Sequence, residues 1–107
     1  MVKFQQLREI IDEVISQLNK IAEDMGRYSK IDTDYRARAL IDEINEKIKQ
    51  MNNTYKNVFA HKDFRDVYGE NSNHDYTEYV QMIRAYVPKY KAIYERIVKF
   101  ENVFGLY

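Results

Sequence analysis

The chain reads FQQLREIIDEVISQLNKIAEDM over residues 4–25, and this stretch decides the fold class. Its apolar residues recur every three or four positions, and they are Phe4, Leu7, Ile11, Val14, Leu18, Ile21 and Met25. This spacing matches the turn of an α-helix and places one apolar stripe along one helix face. Ile10 and Ile15 widen the stripe beyond the seam of a two-stranded coiled coil, which favours a helix in a bundle with more than one neighbour. Gly26 is expected to end this helix.

A second helix is predicted from the same periodicity later in the chain. Asp32, Thr33 and Asp34 are candidate caps at its start, because their side-chain oxygens can accept hydrogen bonds from the first free N–H groups. Its apolar stripe comprises Ala37, Ile41, Ile44, Ile48, Met51, Tyr55 and Val58. The pattern runs to about Ala60 or His61 before the period fails.

Residues 62–75 are rich in turn-forming side chains and are predicted to form the main loop. Phe64, Val67 and Tyr68 are apolar at short spacing within this stretch. They predict a single helical turn that packs against the rest of the molecule before Gly69.

The last segment is predicted to be a long helix that starts near Ser72 or Asn73 and ends near Gly105. Its stripe comprises Tyr76, Tyr79, Val80, Ile83, Val87, Tyr90, Ile93, Ile97, Phe100 and Phe104. Pro88 interrupts this helix, because proline has no N–H to donate to the carbonyl of Arg84. The stripe keeps its phase across Pro88, which favours a kink over a break.

These segments predict an all-α protein and a single domain over residues 1–107. The expected architecture is an antiparallel, up-down bundle of three helices joined by one short and one longer loop. If Pro88 breaks the last helix instead, the bundle has four helices.

The composition excludes several classes of function. The chain has 17 basic and 17 acidic side chains, so it lacks the excess of positive charge that non-specific binding to nucleic acids requires. It has no cysteine, which excludes disulfides and thiolate metal sites. No long apolar run is present, and Glu9, Asp12 and Glu13 lie inside the first apolar stretch. We therefore expect no membrane segment, no secretory signal and a cytoplasmic location.

The sequence offers no catalytic or metal-binding constellation of a known type. A nucleophilic triad cannot be assembled without cysteine or a glycine-flanked serine. Side chains able to ligate a divalent cation cluster late in the chain at His61, Asp63, Asp66, His74, Asp75 and Glu78. Their spacing fits no recognised site, so we expect no metal, no small-molecule cofactor and, on balance, no enzymatic activity.

One short segment, Tyr55 to Asp63, reads YKNVFAHKD and resembles the motif region of the HEPN superfamily. The members of that superfamily are helical-bundle ribonucleases and nucleic-acid-associated domains of defence and toxin systems. The resemblance implies that His61 takes part in metal-independent RNA cleavage, in a composite site made by two protomers. Lys56 stands where the family has a phosphate-holding arginine, and Asn57 fills the polar position. Lysine lacks the planar fork of arginine, so a domain that binds RNA without cleaving it fits equally well.

The second functional signal is the tyrosine content: ten tyrosines in 107 residues, six of them after residue 75. Tyr86, Tyr90 and Tyr94 on the last helix alternate with basic residues that include Arg84 and Lys91. Tyrosine and arginine are enriched at the energetic centres of protein interfaces. These five residues are therefore predicted to bind a partner.

The leading hypothesis is a non-enzymatic protein–protein interaction or regulatory module. It would act as a small inhibitor or adaptor through its helix faces, with a protein partner or with a second copy of itself. The alternative is a HEPN-like RNA-binding or ribonuclease domain.

Overall fold

The computed structural model describes residues 1–28, 35–69 and 73–104, and every regular element within those ranges is helical. The all-α prediction is therefore confirmed. The helices are α1 (Phe4–Tyr28), α2 (Tyr35–Thr54), α3 (Lys62–Tyr68) and α4 (Thr77–Phe104), with a π-helical segment, Tyr55–Phe59, that continues α2. Within the described ranges, none of these helices has the length and apolar character needed to cross a membrane.

The apolar stripe of α1 forms the centre of the core. Helix α1 packs against both α2 and α4, and α2 also packs against α4. The fully buried side chains of α1 are Leu7, Ile11, Val14, Leu18 and Met25, all predicted from the spacing. Burying a side chain of this size stabilises the fold by about 1.5–3 kcal/mol. The helix continues to Tyr28, so the prediction that Gly26 ends it is wrong. The candidate caps Asp32, Thr33 and Asp34 lie outside the described residues.

The residues before α1 are tied to the residues before α4 by hydrogen bonds of the Val2 backbone. The N–H of Tyr76 donates to the carbonyl of Val2 at 2.9 Å, and the N–H of Val2 donates to Asp75 Oδ1 at 2.9 Å. Asp75 also accepts from the hydroxyl of Thr77 at 2.6 Å and from its N–H at 3.0 Å. The Thr77 hydroxyl, followed by the Val2 N–H, lowers the pKa of Asp75. The resulting stabilisation is present above the usual pKa of aspartate and is lost as the pH falls through the lowered value.

Pro88 lies inside α4, which runs unbroken from Thr77 to Phe104. The alternative prediction, that Pro88 divides the last helix into two and so makes a bundle of four helices, is therefore wrong. Pro88 and Arg84 are both exposed, so the carbonyl that loses its N–H partner lies on the solvent side of the helix, where water can bond to it. The start of α4 lies a few residues after the predicted start near Ser72 or Asn73.

The fourth helix is α3, which falls in the stretch predicted to be a loop. It has seven residues, more than the single turn expected from Phe64, Val67 and Tyr68. Phe64 packs its ring against the edge of Phe59, with the ring centroids 5.4 Å apart. This contact anchors α3 to the π-helical segment.

Gly69 ends α3, and substitution by alanine is expected to destabilise the protein by about 1–3 kcal/mol. A Cβ at this buried position would clash with the carbonyl oxygen of Arg65, which accepts a hydrogen bond from the Gly69 N–H. Unfolding in urea, followed by circular dichroism, measures the loss. Gly26→Ala is the matched control, because Gly26 is exposed within α1 and alanine there is expected to stabilise the helix by up to about 1 kcal/mol. Equal changes in stability at the two glycines would contradict the clash predicted between a Cβ at position 69 and the Arg65 carbonyl.

Candidate functional site

The three tyrosines on α4 that were predicted to bind a partner face in different directions. Each step of four residues along an α-helix advances about 40° around its axis. Tyr86, Tyr90 and Tyr94 therefore turn gradually from the α2 side of α4, through the core, to the α1 side. Their surroundings differ accordingly.

Tyr90 is fully buried and presents no surface to a partner. Its hydroxyl donates a hydrogen bond to Glu43 Oε1 on α2 at 3.1 Å. Burial, together with this bond to a carboxylate, raises the pKa of Tyr90 to about 12. Its role in this arrangement is to join α4 to α2, and the expectation that it contacts a partner is corrected.

Tyr86 is half-buried on the α2 side of α4. The ammonium group of Lys47 lies 5.3 Å from the centroid of its ring, and the ring centroid of Tyr90 lies 6.3 Å away. A cavity of about 90 Å³ beside Tyr86 has walls from α2 and α4. Arg84 is exposed and is not among the residues that line this cavity.

Tyr94 and Lys91 lie on the other side of α4, where they line a groove of about 510 Å³ shared with α1, here called the α1–α4 groove. Val87 completes the wall that α4 provides. The opposite wall comes from α1 and comprises Ser16, Gln17, Lys20, Ile21 and Asp24. The structure thus brings together two of the five predicted partner-binding residues and adds the residues of α1.

The α1–α4 groove has an apolar floor and charged edges. Ile21, Val87 and Tyr94 are buried or half-buried and form the apolar part. On the α1 edge, Lys20 and Asp24 form a salt bridge of 2.8 Å and neutralise each other. On the α4 edge, Lys91 is exposed, and no carboxylate among the described residues pairs with it. The charges of the described residues that line the groove therefore sum to one positive charge.

The α1 wall of this groove was missed by reasoning from the sequence alone. Ser16, Lys20 and Asp24 repeat every fourth position, which places them on one face of α1 beside the apolar stripe. That spacing was visible in the sequence. Only the pairing of α1 with α4 shows that this face lies opposite Lys91 and Tyr94.

The segment that resembles the HEPN motif contains an unusual helical turn. The N–H of Ala60 donates to the carbonyl of Tyr55 at 2.7 Å, a bond one residue longer than in an α-helix. Lys56 and Asn57 are exposed on this π-helical turn, and the guanidinium of Arg8 lies 4.8 Å from the ring centroid of Tyr55. Single π-helical turns within α-helices occur frequently at functional sites.

His61 caps the N-terminus of α3. Its Nδ1 accepts a hydrogen bond from the Asp63 N–H at 3.2 Å, and its side chain is 57 % exposed. A ring nitrogen that accepts such a bond carries no proton, so the neutral imidazole has its proton on Nε2. In this conformation Nε2 is a hydrogen-bond donor. The bond from the Asp63 N–H to Nδ1 must therefore break before either nitrogen of His61 can accept a proton from a substrate.

The described residues contain no group of three or more histidine, aspartate or glutamate side chains placed to hold a metal ion. His74, one of the candidate ligands considered from the sequence, instead packs its ring against Tyr68 and Tyr76, with centroids 5.0 and 4.8 Å away. His74 is therefore part of a cluster of ring side chains with Tyr68 and Tyr76.

Comparison with known proteins gave no match to a family model, to a curated protein or to a solved structure.

Proposed function

We propose that this protein is a non-enzymatic interaction module that binds a protein partner through the α1–α4 groove. The observation that carries the proposal is the apolar lining of the groove, in which the half-buried Val87 and Tyr94 and the buried Ile21 lie between charged side chains. Interfaces between proteins combine an apolar, often aromatic centre with a polar rim in this way. A partner that covers the floor would remove apolar surface from water, which is the main favourable term in association.

We also propose that the chain is one domain, built as an antiparallel up-down bundle of three long helices with α3 as a short addition. The contact of Arg8 with Tyr55 supports opposite directions for α1 and α2, and the bond between Tyr76 and Val2 supports a shared direction for α1 and α4. Two helices that run side by side in the same direction would form the two walls of the groove.

In this proposal the protein acts in the cytoplasm as a regulatory module, inhibitor or adaptor. It would change the activity of its partner by covering part of the partner's surface. Its own residues would provide only binding, and neither a metal nor a cofactor would be needed.

Photo-crosslinking in living host cells tests the interaction. A benzoylphenylalanine at Gln17, which is exposed on the α1 wall, is expected to form a discrete covalent adduct with the partner. The same group at Asn45, exposed on α2 and outside the groove, is the matched control. Ser16→Trp, which fills the groove from an exposed position, should abolish the adduct. Equal crosslinking from both positions, or none from Gln17, would contradict the proposal.

The alternative is a HEPN-like domain that binds RNA or cleaves it without a metal. The π-helical turn favours it, because this turn exposes Lys56 and Asn57 a few residues before His61. His61 would act in cleavage, and Lys56 would contact a phosphate as a point charge. The site would be completed by a second protomer.

Cleavage of labelled single-stranded RNA in the presence of EDTA tests this alternative. Because His61 also caps α3, the informative variant is His61→Asn, whose side-chain oxygen can keep the cap but cannot act as an acid or base near neutral pH. The alternative expects a loss of about 100-fold or more in His61→Asn and weaker RNA binding in Lys56→Ala. Lys49→Ala, at an exposed lysine of α2, controls for the loss of charge. Full cleavage by His61→Asn would rule out a role for this histidine in the chemistry.

A further inference from the structure

We infer that the occupant of the α1–α4 groove is an amphipathic helix whose apolar stripe is flanked by acidic side chains. The inference rests on the proposed function and specifies the class of partner that the groove recognises. Its two parts, a helix and an acidic flank, follow from the shape of the groove and from its charge.

The shape of the groove fits a helix. Its α1 wall extends from Ser16 to Asp24, a length of about 12 Å or two helical turns. A helix laid along it can place apolar side chains from successive turns, at positions i, i+4 and i+7, onto the floor. An extended peptide would point alternate side chains away from the floor. It would also find no hydrogen-bond partners along these walls, because the backbone groups of α1 and α4 already bond within their own helices.

The charge of the groove fits an acidic flank. Lys20 is held by Asp24 at 2.8 Å, so neither of these groups is left to attract a partner strongly. Lys91 stands across the floor from this pair without a carboxylate partner among the described residues. An acidic side chain beside the apolar stripe of the partner would meet Lys91, whereas a basic one would be repelled.

A phage-displayed library of helix-forming peptides tests both parts. Each peptide carries leucine at positions i, i+4 and i+7, and its flanking positions vary among Glu, Lys, Gln and Ala. The library is selected in parallel on the wild-type protein and on Lys91→Glu, which reverses the charge at an exposed position. We expect Glu to be enriched at a flanking position on the wild type and Lys to be enriched at that same position on Lys91→Glu.

Synthetic versions of the selected peptides then give the size of this charge preference as a ratio of binding affinities. The wild-type protein should bind the Glu peptide about tenfold more tightly than its Lys counterpart, and Lys91→Glu should reverse this preference. Ser16→Trp should abolish binding of both peptides, whereas Lys49→Glu, with the same charge change outside the groove, should behave as the wild type. Circular dichroism of each variant verifies that its helices are retained.

Three results would overturn the inference. The first is a selection without a charge preference, or with the same preference on the wild type and on Lys91→Glu. The second is a set of selected peptides that bind Ser16→Trp undiminished. The third is a crosslinked adduct from Gln17 with the mass of two copies of this chain, which would make a second copy the occupant.

The two experiments separate the inference from the proposed function. A crosslink from Gln17 to another protein, combined with selected peptides of the wrong charge, would leave the interaction module standing and remove the acidic helix. Failure of both the crosslink and the selection would remove both.

Discussion

Replacing Phe59 by alanine is expected to lower the free energy of unfolding by about 3–5 kcal/mol. The ring of Phe59 is buried at the end of the π-helical segment and meets three other rings. Its centroid lies 5.4 Å from that of Phe64, 5.7 Å from Tyr76 and 4.9 Å from Tyr79. Removing it leaves a cavity between α3 and the start of α4 and takes the packing partner of α3 away. Because a domain of this size is stable by only about 5–15 kcal/mol, the loss is a large share of the total.

Unfolding in urea measures this loss, and the neighbouring residue supplies the control. Val58 is 44 % exposed, so Val58→Ala removes apolar atoms from the same turn without opening a cavity in the core. Its expected cost is below about 1 kcal/mol. Similar losses in the two variants would show that the aromatic contacts of Phe59 contribute little.

The second large effect is a loss of stability at alkaline pH that depends on Tyr90. Its pKa is raised to about 12 in the folded protein and returns to about 10 when the chain unfolds. The folded state therefore holds this proton more tightly than the unfolded state. The stabilisation is complete below pH 10 and is lost as the pH rises from about 10 to about 12, by roughly 2–3 kcal/mol.

Urea unfolding of the wild type and of Tyr90→Phe at several pH values isolates this group from the other tyrosines. Below pH 10 the wild type should be the more stable protein by about 1 kcal/mol, because only it has the hydrogen bond to Glu43. Toward pH 12 the wild type should lose this advantage and become the less stable of the two. Glu43→Gln, which keeps an acceptor but removes the negative charge, lowers the folded pKa of Tyr90, so the loss should start at the same pH but be smaller and end at a lower pH. A stability difference between the wild type and Tyr90→Phe that stays constant from pH 10 to pH 12 would contradict the raised pKa of the buried Tyr90 hydroxyl.

Much of the helical fold is predictable from the sequence, because burial of one helix face leaves a periodic pattern. The stripe of α1, from Leu7 to Met25, needed no information beyond the spacing of its apolar residues. Helix α3 was predicted only as a single helical turn, because its seven residues lie in a stretch of turn-forming side chains. It is held by the contact between Phe64 and Phe59, and a contact between separate elements leaves no periodic pattern in the sequence.

The candidate site was only partly predictable for a similar reason. Lys91 and Tyr94 were identified from their residue types. The periodicity placed Tyr90, but not Tyr94, in the apolar stripe of the last helix, and yet Tyr90 was also predicted to bind a partner. Its burial contradicts the second of these two predictions. The α1 wall, with Ser16 and Lys20, required the pairing of the two helices.

The π-helical turn at Tyr55–Phe59 also determines where this chain tolerates a change in length. A turn closed by a bond from Ala60 to Tyr55 holds one residue more than an α-helical turn over the same path. Deleting Asn57 would convert it to an ordinary α-helical turn and leave Phe59 and everything after it in place. Deleting Asn45 in the middle of α2 would instead rotate Ile48 and Met51 by about 100° relative to the core. Homologous chains one residue shorter can therefore keep the same interior if their gap falls at this turn.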